Sequence, residues 1–574
     1  MNSSSNMDRR SFLKGAFVTG AAATAAATGA VALTGCAPEA KSDMASTGTS
    51  EGAAKTGYTF EIAPEPIPES DITSTVESDI VIIGAGFSGL CCALSAAENG
   101  ASVTLLERSD HVTGRGGSIY AMNSKLTKEK GYECSVEEIA QRYKRMMGYH
   151  SYRVDGNKWM THFHRSGEAM DWLIDHMTQA SSVGGNNLTP VMEHWYGDPE
   201  DINGEFPGTH EFLDGPNGLG PDDNPQQDVC DNMAAYCADA GVDIRYNTTA
   251  EQLVKDGDKV TGVVAKGSDG YVLFNGTKGV VLATGDFGMD KEMLEKFIPW
   301  TAHQTEFGGI FDGSGHKMAY WAGAAVDKSE TPTPMIFCFQ WRSITRQVRA
   351  FQGLMVNADG KRYTNEDNVI SHGALAFMGQ KGHCAWAIWD DDYANEPQWQ
   401  NHRYVDGPKV FETPDEVRAY WQETIDGPGT INMNGSGDIE VKMVKADTIE
   451  ELVNQLGLPA DETLATIERY NGFFSGGVDE DFNRDLAVTM PFTGKRFFAL
   501  TTNSCVLATV GGLTIDGNCQ VLDTDDKVIG GLYAVGNASG NFFAGNYPRH
   551  IPGTSIGRAI TFGYVAAEHA VKGE

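Results

Sequence analysis

Hydrophobic and polar positions change period several times along the chain, and the clearest change comes at residues 79–89. Ile80-Val81-Ile82-Ile83 is a short β-branched apolar run, suited to a strand buried on both faces. Gly84-Ala85-Gly86-Phe87-Ser88-Gly89 follows at once. Leu90 to Asn99 then reads as an Ala-rich helix closed by Gly100, and Ser102 to Leu106 as a second strand ending in Glu107. This strand–turn–helix–strand unit predicts a parallel sheet flanked by helices. Apolar runs return at 279–286 and 530–537. Between them, Asn357-Ala358-Asp359-Gly360 supplies turn chemistry between two strand-like runs, which predicts a hairpin. Asp312-Gly313-Ser314-Gly315-His316 opens a predicted helix to Ala322, with His316 expected on its surface. Trp386, Trp389, Trp399 and Trp421 are expected to pack a core in the middle region.

The first 75 residues lack this periodicity. Arg9-Arg10 followed by Phe12-Leu13-Lys14 and a mild Ala/Thr/Gly stretch resembles a twin-arginine export signal over residues 1–36. Leu33-Thr34-Gly35-Cys36 resembles a lipobox, in which Cys36 would carry lipid. Residues 37–75 are rich in Ala, Ser, Thr, Gly, Glu and Pro and are expected to form a flexible tether. The expected location is the outer face of the cell membrane, reached by twin-arginine export and held by the lipid anchor. That route carries folded proteins, which points to a prosthetic group loaded beforehand.

Composition narrows the partners. The net charge of −33, from 77 acidic and 44 basic residues, repels nucleic acid and anionic lipid, leaving the lipid anchor as the expected membrane contact. Ten Cys occur without a single C-x-x-C, so no metal site, iron–sulfur run or c-type haem is expected. Any electrons must then come from another protein.

In the first unit, Gly84 permits the tight turn, Gly86 lets the backbone approach a pyrophosphate, and Gly89 lets helix and strand pack closely. The helix N-terminus, with Ala85, Phe87 and Ser88 around it, offers amide groups to phosphates. Glu107, with Arg108 beside it, stands where a ribose acceptor is required.

FAD, rather than another dinucleotide, comes from resemblance. Gly114-Arg115-Gly116-Gly117-Ser118 resembles the second phosphate-side loop of FAD enzymes, and Ala283-Thr284-Gly285-Asp286 their late "ATGG" strand end. Tyr246 to Leu253, including Glu251, resembles the segment over adenine, and the run ending in Asn537 the strand that meets the flavin. Together with Met355 to Glu366, which resembles a "VN..GKRF.NE" hairpin, these segments resemble the fumarate reductase / 3-ketosteroid dehydrogenase superfamily of flavoproteins over residues 77–574. The resemblance implies an α/β, doubly wound, Rossmann-like FAD-binding domain built from both chain ends (77–325 and 490–574) with an inserted α+β cap (326–489).

Within that superfamily the motifs divide. Leu507-Ala508-Thr509-Val510-Gly511-Gly512 stands where fumarate and urocanate reductases have "HHTMGG", and Ile370 where they have a proton-donating Arg. Gly553 to Gly563, with Ser555 and Ile556 expected at the cofactor, resembles the "GGTIGPAMTFG" segment of ketosteroid dehydrogenases. Their Tyr-Pro is matched by Tyr547-Pro548, two residues further from the glycine loop; register on that loop puts Arg549 and His550 in the corresponding places.

The implied chemistry is hydride transfer between flavin N5 and a carbon–carbon bond conjugated to a carbonyl or carboxylate. It needs donors at the oxygen and a proton source at the α-carbon. Tyr547, Arg549 and His550 are the first candidates, with His372 and Tyr120 behind them. The expected enzyme is an ene-reductase fed by an external donor such as a cytochrome and acting on a small unsaturated carbonyl compound or carboxylate. The alternatives are a ketosteroid-type dehydrogenase and a non-catalytic flavin- or ligand-binding lipoprotein.

Overall fold

The computed structural model describes residues 57–192, 207–217, 224–299, 306–307, 311–326, 334–337, 353–366, 376, 379–395, 411–427, 430–432, 438–440, 443–503, 505–544, 547 and 551–572. Its largest sheet begins with β1 (Ile72–Ile83), helix α1 (Phe87–Glu98) and β2 (Val103–Leu106). After α2 (Gly156–Met177) and α3 (Pro225–Asp239) come β3 (Asp243–Arg245), β4 (Thr249–Asp256), β5 (Lys259–Gly267) and β6 (Gly270–Leu282). Helix α4 (Ser314–Trp321) precedes the middle region. That region contributes β7 (Leu354–Val356), β8 (Cys384–Asp390), β9 (Met443–Ala446) and β10 (Phe497–Asn503). The last segment adds β11 (Gln520–Leu522), β12 (Val528–Ala534) and α5 (Thr554–Lys572).

Strands β3, β2, β1, β6 and β12 run parallel in that order. Ile80 and Ile83 lie opposite Val103 and Leu106 on one side, and Leu532 pairs Val280 on the far side of β6. The sheet therefore joins the two ends of the chain. Ile80, Val81 and Ile82 are fully buried, and burial of each such side chain contributes about 1.5–3 kcal/mol. Helices α1 and α5 pack on each other. The antiparallel meander β4–β5–β6 extends one side.

Two domain boundaries differ from the sequence expectation. Residues 57–75 are not the flexible tether expected there: Phe60 is buried with Phe287, Met293, Leu294 and Ile298. Trp321 Nε1 donates to the Phe60 carbonyl at 2.7 Å, and Lys296 pairs with Glu61. The Phe60 partners are distant in sequence, so local composition gave no sign of them. The expected return to the FAD-binding domain at 490 also comes too early. β10 pairs with β8 and β9, in a sheet ordered β7–β8–β10–β9.

This sheet is the centre of the cap. Trp389 and Trp421 meet edge to face in one cap core, and Trp386 packs partly buried in another; Trp399 lies outside the described residues. The 357–360 turn forms as expected, with Asn357 Oδ1 accepting the Asp359 and Lys361 amides. Arg362 beyond it is buried and donates to Glu366 at 2.7 and 2.9 Å and to Asp479 at 2.8 and 2.9 Å. The hairpin is thereby bolted to the rest of the cap.

Candidate active site

The first turn follows from its glycines. Gly84 has φ +103°, and a Cβ there would lie 2.5 Å from the Ala283 carbonyl oxygen. Gly89 lies behind it, where a Cβ would fall 1.9 Å from the Gly84 oxygen. Gly89 therefore shapes the turn without facing the cavity in front. The Ala85 amide donates to Glu107 Oε2 at 2.9 Å, and the Ser109 amide and hydroxyl donate to Glu107 Oε1 at 2.9 and 2.7 Å. Glu107 is thus fixed at the tip of β2 beside the N-terminus of α1.

A cavity of about 590 Å³ starts at this turn. Gly84, Ala85, Gly86, Phe87, Ser88, Glu107 and Arg108 line its first end, together with Thr248, Thr249 and Ala250. The second loop, Arg115 to Ser118, forms another wall, and Ala283 to Asp286 a third. Asn537, Tyr547, Ser555 and Ile556 line the part supplied by the chain's last segment. Arg108 is held to Asp312 at 3.1 Å.

The second loop is carried by α3. Gln227 Oε1 accepts the Gly114 amide at 2.9 Å while its Nε2 donates to the Val112 carbonyl at 2.9 Å. Asn224 Nδ2 donates to the Gly114 carbonyl at 2.7 Å, and Gln226 donates to that of Gly117. Sequence reasoning missed these three residues; the polar pair directly after Pro225, at a helix start, was the available signal.

Asp286 is fully buried in the cavity wall. Its Oδ1 accepts the Gly288 amide at 2.7 Å; its Oδ2 has no hydrogen-bond partner and lies 4.0 Å from Arg115. Burial pushes this carboxyl up to about 6, against the pull of Arg115. Thr284 Oγ1 is likewise buried without a partner. Two orphaned polar atoms in one wall are what a bound polar molecule would satisfy.

At the other end, Tyr547 Oη accepts the Ser555 amide at 2.9 Å, at the N-terminus of α5. Burial pushes this phenol up to about 12, opposed by the amides it receives. It is neutral at ordinary pH and keeps its proton. Ser555 Oγ donates to Asn537 Oδ1 at 3.1 Å, and Arg558 Nη2 donates to the same oxygen at 3.0 Å. Arg558, also missed in the sequence, is buried one turn into α5.

Three sequence assignments need correction. Tyr120 is fully buried away from the cavity, its hydroxyl accepting from Arg142 Nη1 at 3.0 Å and its ring 6.1 Å from that of His162 on α2. Glu251 does not line the cavity. The β4–β5 register slips between Ala250 and Gln252, and Glu251 accepts from Tyr271 at 3.2 Å. His316 is buried rather than exposed, against Phe287 and Gly512, and burial lowers it to about 4. Arg549, His550 and His372, with Ile370, lie outside the described residues.

Known proteins share this architecture. A family model described as FAD binding domain matches residues 79–553. Vinyl phenol reductase of Lactiplantibacillus plantarum is 26% identical, over 86% of this chain and 96% of its own. The 3-oxosteroid 1-dehydrogenase of Mycolicibacterium smegmatis is 26% identical, with the same two coverages. In fold, the chain is similar to the open conformation of a flavocytochrome c3 fumarate reductase, with a TM-score of 0.62 and 23% identity over 88% of this chain and 79% of that one. The cavity suits FAD: the backbone turn and α1 N-terminus fit a pyrophosphate, Glu107 fits a ribose, and the remaining length runs on to Asn537 and Tyr547.

Proposed function

The chain belongs to the FAD binding domain family and is an FAD-dependent oxidoreductase; from that premise we propose that it reduces a carbon–carbon double bond conjugated to a carbonyl or carboxylate in a small molecule. The observation that carries this reading is the continuous cavity running from a nucleotide-binding turn to a buried hydroxyl at a helix N-terminus. When bound, the flavin ring supplies the hydride.

This chain's residues supply the rest. Gly84 to Ser88 and Glu107 bind the nucleotide and set its direction. The Gly114 to Ser118 loop, clamped by Asn224, Gln226 and Gln227, closes the wall beside it. Tyr547 accepts from the Ser555 amide, which strengthens its own O–H as a donor, and in this reading it hands the proton to the α-carbon. Arg549 and His550, close after Tyr547 in the sequence, are proposed to hold the substrate's oxygen, Arg549 through its planar fork. His372 is a further proposed donor from the cap.

A cationic electron-transfer protein such as a cytochrome is the proposed donor, because the chain carries −33 charges and no haem motif. The relatives named for vinyl phenol and fumarate reduction support the reductive direction; the 3-oxosteroid 1-dehydrogenase supports the oxidative one. Export by the twin-arginine route and lipidation at Cys36 remain part of the proposal.

The test is an assay of flavin-loaded protein with reduced viologen and a panel of enoates, cinnamates and enones. Viologen oxidation with at least one of them is expected. Flavin bleaching by a saturated ketone alone would favour the dehydrogenase, and silence in both directions would leave a binding protein.

A further inference from the structure

We propose that Arg558 is a positioning residue that makes the bound flavin easier to reduce, acting through the side-chain amide of Asn537. The inference rests on the cofactor reading above. With the nucleotide held at the Glu107 end, the ring belongs at the end walled by Asn537 and Ser555.

Asn537 Oδ1 is held by two donors from α5, Ser555 Oγ at 3.1 Å and Arg558 Nη2 at 3.0 Å. An amide oxygen fixed in this way sets the orientation of the whole group. Its Nδ2 donates to none of the described residues, so its two hydrogens serve the cavity that Asn537 lines. Arg558 is 1% exposed. Its Nη2 also donates to the Gly536 carbonyl at 2.9 Å and its Nη1 to that of Ser539 at 3.3 Å. Its guanidinium lies 5.5 and 5.1 Å from the ring centres of Phe542 and Phe543. This is a permanent charge in a medium of low dielectric, one hydrogen bond behind a cavity-facing amide.

A cation pulling on Oδ1 polarises the amide and strengthens the bonds that Nδ2 donates. Two-electron reduction adds negative charge to the ring, so donors and a buried cation at that wall favour the reduced state over the oxidised one. The charge already acts on its surroundings: His162, buried on α2, is brought down to about 3, first by burial and then by Arg558.

The experiment uses the full-length, FAD-loaded protein and the variants Arg558→Met, Arg558→Lys, Asn537→Ala and the double Arg558→Met/Asn537→Ala. Flavin content is read by absorbance, and the midpoint potential by dithionite titration against a reference dye. Arg558→Met should stay yellow and shift the oxidised-to-reduced ratio about tenfold toward oxidised, ~30 mV for a two-electron couple. Asn537→Ala should shift it the same way, and the double variant no further than the larger single one. Arg558→Lys should recover part of the shift. Unchanged potentials in yellow variants, or additive shifts, overturn the inference. If Arg558→Met fails to fold, unchanged potentials in both Asn537→Ala and Arg558→Lys overturn it equally. A folded wild type that takes up no FAD would sink the cofactor reading and this inference with it.

Discussion

At the Glu107 end the cavity wall is built from a glycine turn, a helix N-terminus and one carboxylate. At the Tyr547 end it uses side chains held by one another: Tyr547 on Ser555, Ser555 and Arg558 on Asn537. The first design depends on where the backbone can go, so glycine governs it. The second depends on hydrogen bonds between segments, so a single side chain can be exchanged without losing the fold. Damage at the first end should therefore cost folding or cofactor, and damage at the second should cost chemistry with the cofactor in place.

The hardest test is Gly89→Val. A Cβ 1.9 Å from the Gly84 oxygen has no room, and a penalty of about 3 kcal/mol or more is expected, visible as loss of soluble folded protein. Gly86 sharpens the point, because a Cβ there would meet nothing closer than the Thr113 carbonyl oxygen at 3.7 Å. Gly86→Ala should fold normally and lose affinity for FAD, read by flavin fluorescence titration. At the opposite end, Tyr547→Phe should keep a yellow protein and lower turnover roughly 100-fold, the usual scale for a lost proton donor. A colourless Tyr547→Phe would erase the distinction between the two ends.

Glu107→Gln should weaken FAD binding roughly 10- to 100-fold, as expected for a charged acceptor of several hydrogen bonds, with turnover per bound flavin unchanged. The last test concerns Asp286, whose effect is confined to the pH dependence of stability. Its folded carboxyl is raised to about 6 by burial. Its contribution to stability is therefore complete below the unfolded value near 4 and is lost as pH rises through about 6. Asp286→Asn should leave the cofactor-free protein more stable than wild type at pH 8, by roughly 1–3 kcal/mol. The difference should vanish below pH 4. Urea denaturation at several pH values measures it.

The turn at the Glu107 end was legible in the sequence because its demands are local: three glycines, a helix start and an acid at the next strand's tip all fall within one short stretch. The ring end was legible only in part. Asn537, Ser555 and Tyr547, singled out by their motifs, line the cavity, but Arg558 passed unnoticed, since nothing local distinguishes a buried arginine from a surface one. Tyr120 failed for a related reason. Its place after the glycine loop was right, but the pleat carries its side chain to Arg142. Glu251 fell on an irregularity of strand pairing, which no periodic pattern encodes. The burial of Phe60, within the expected tether, depended on an apolar cluster far downstream.

The pairing of β12 with β6 has a consequence for how this molecule is made. The strand synthesised first must wait for one synthesised near the end before its sheet is complete, and the cap is threaded out in between. A growing chain therefore carries an open apolar flank through most of its synthesis, a condition that invites chaperone binding. The wall that Ser555 and Ile556 supply is added only once the closing helix has emerged, so the cavity takes its full outline late in synthesis.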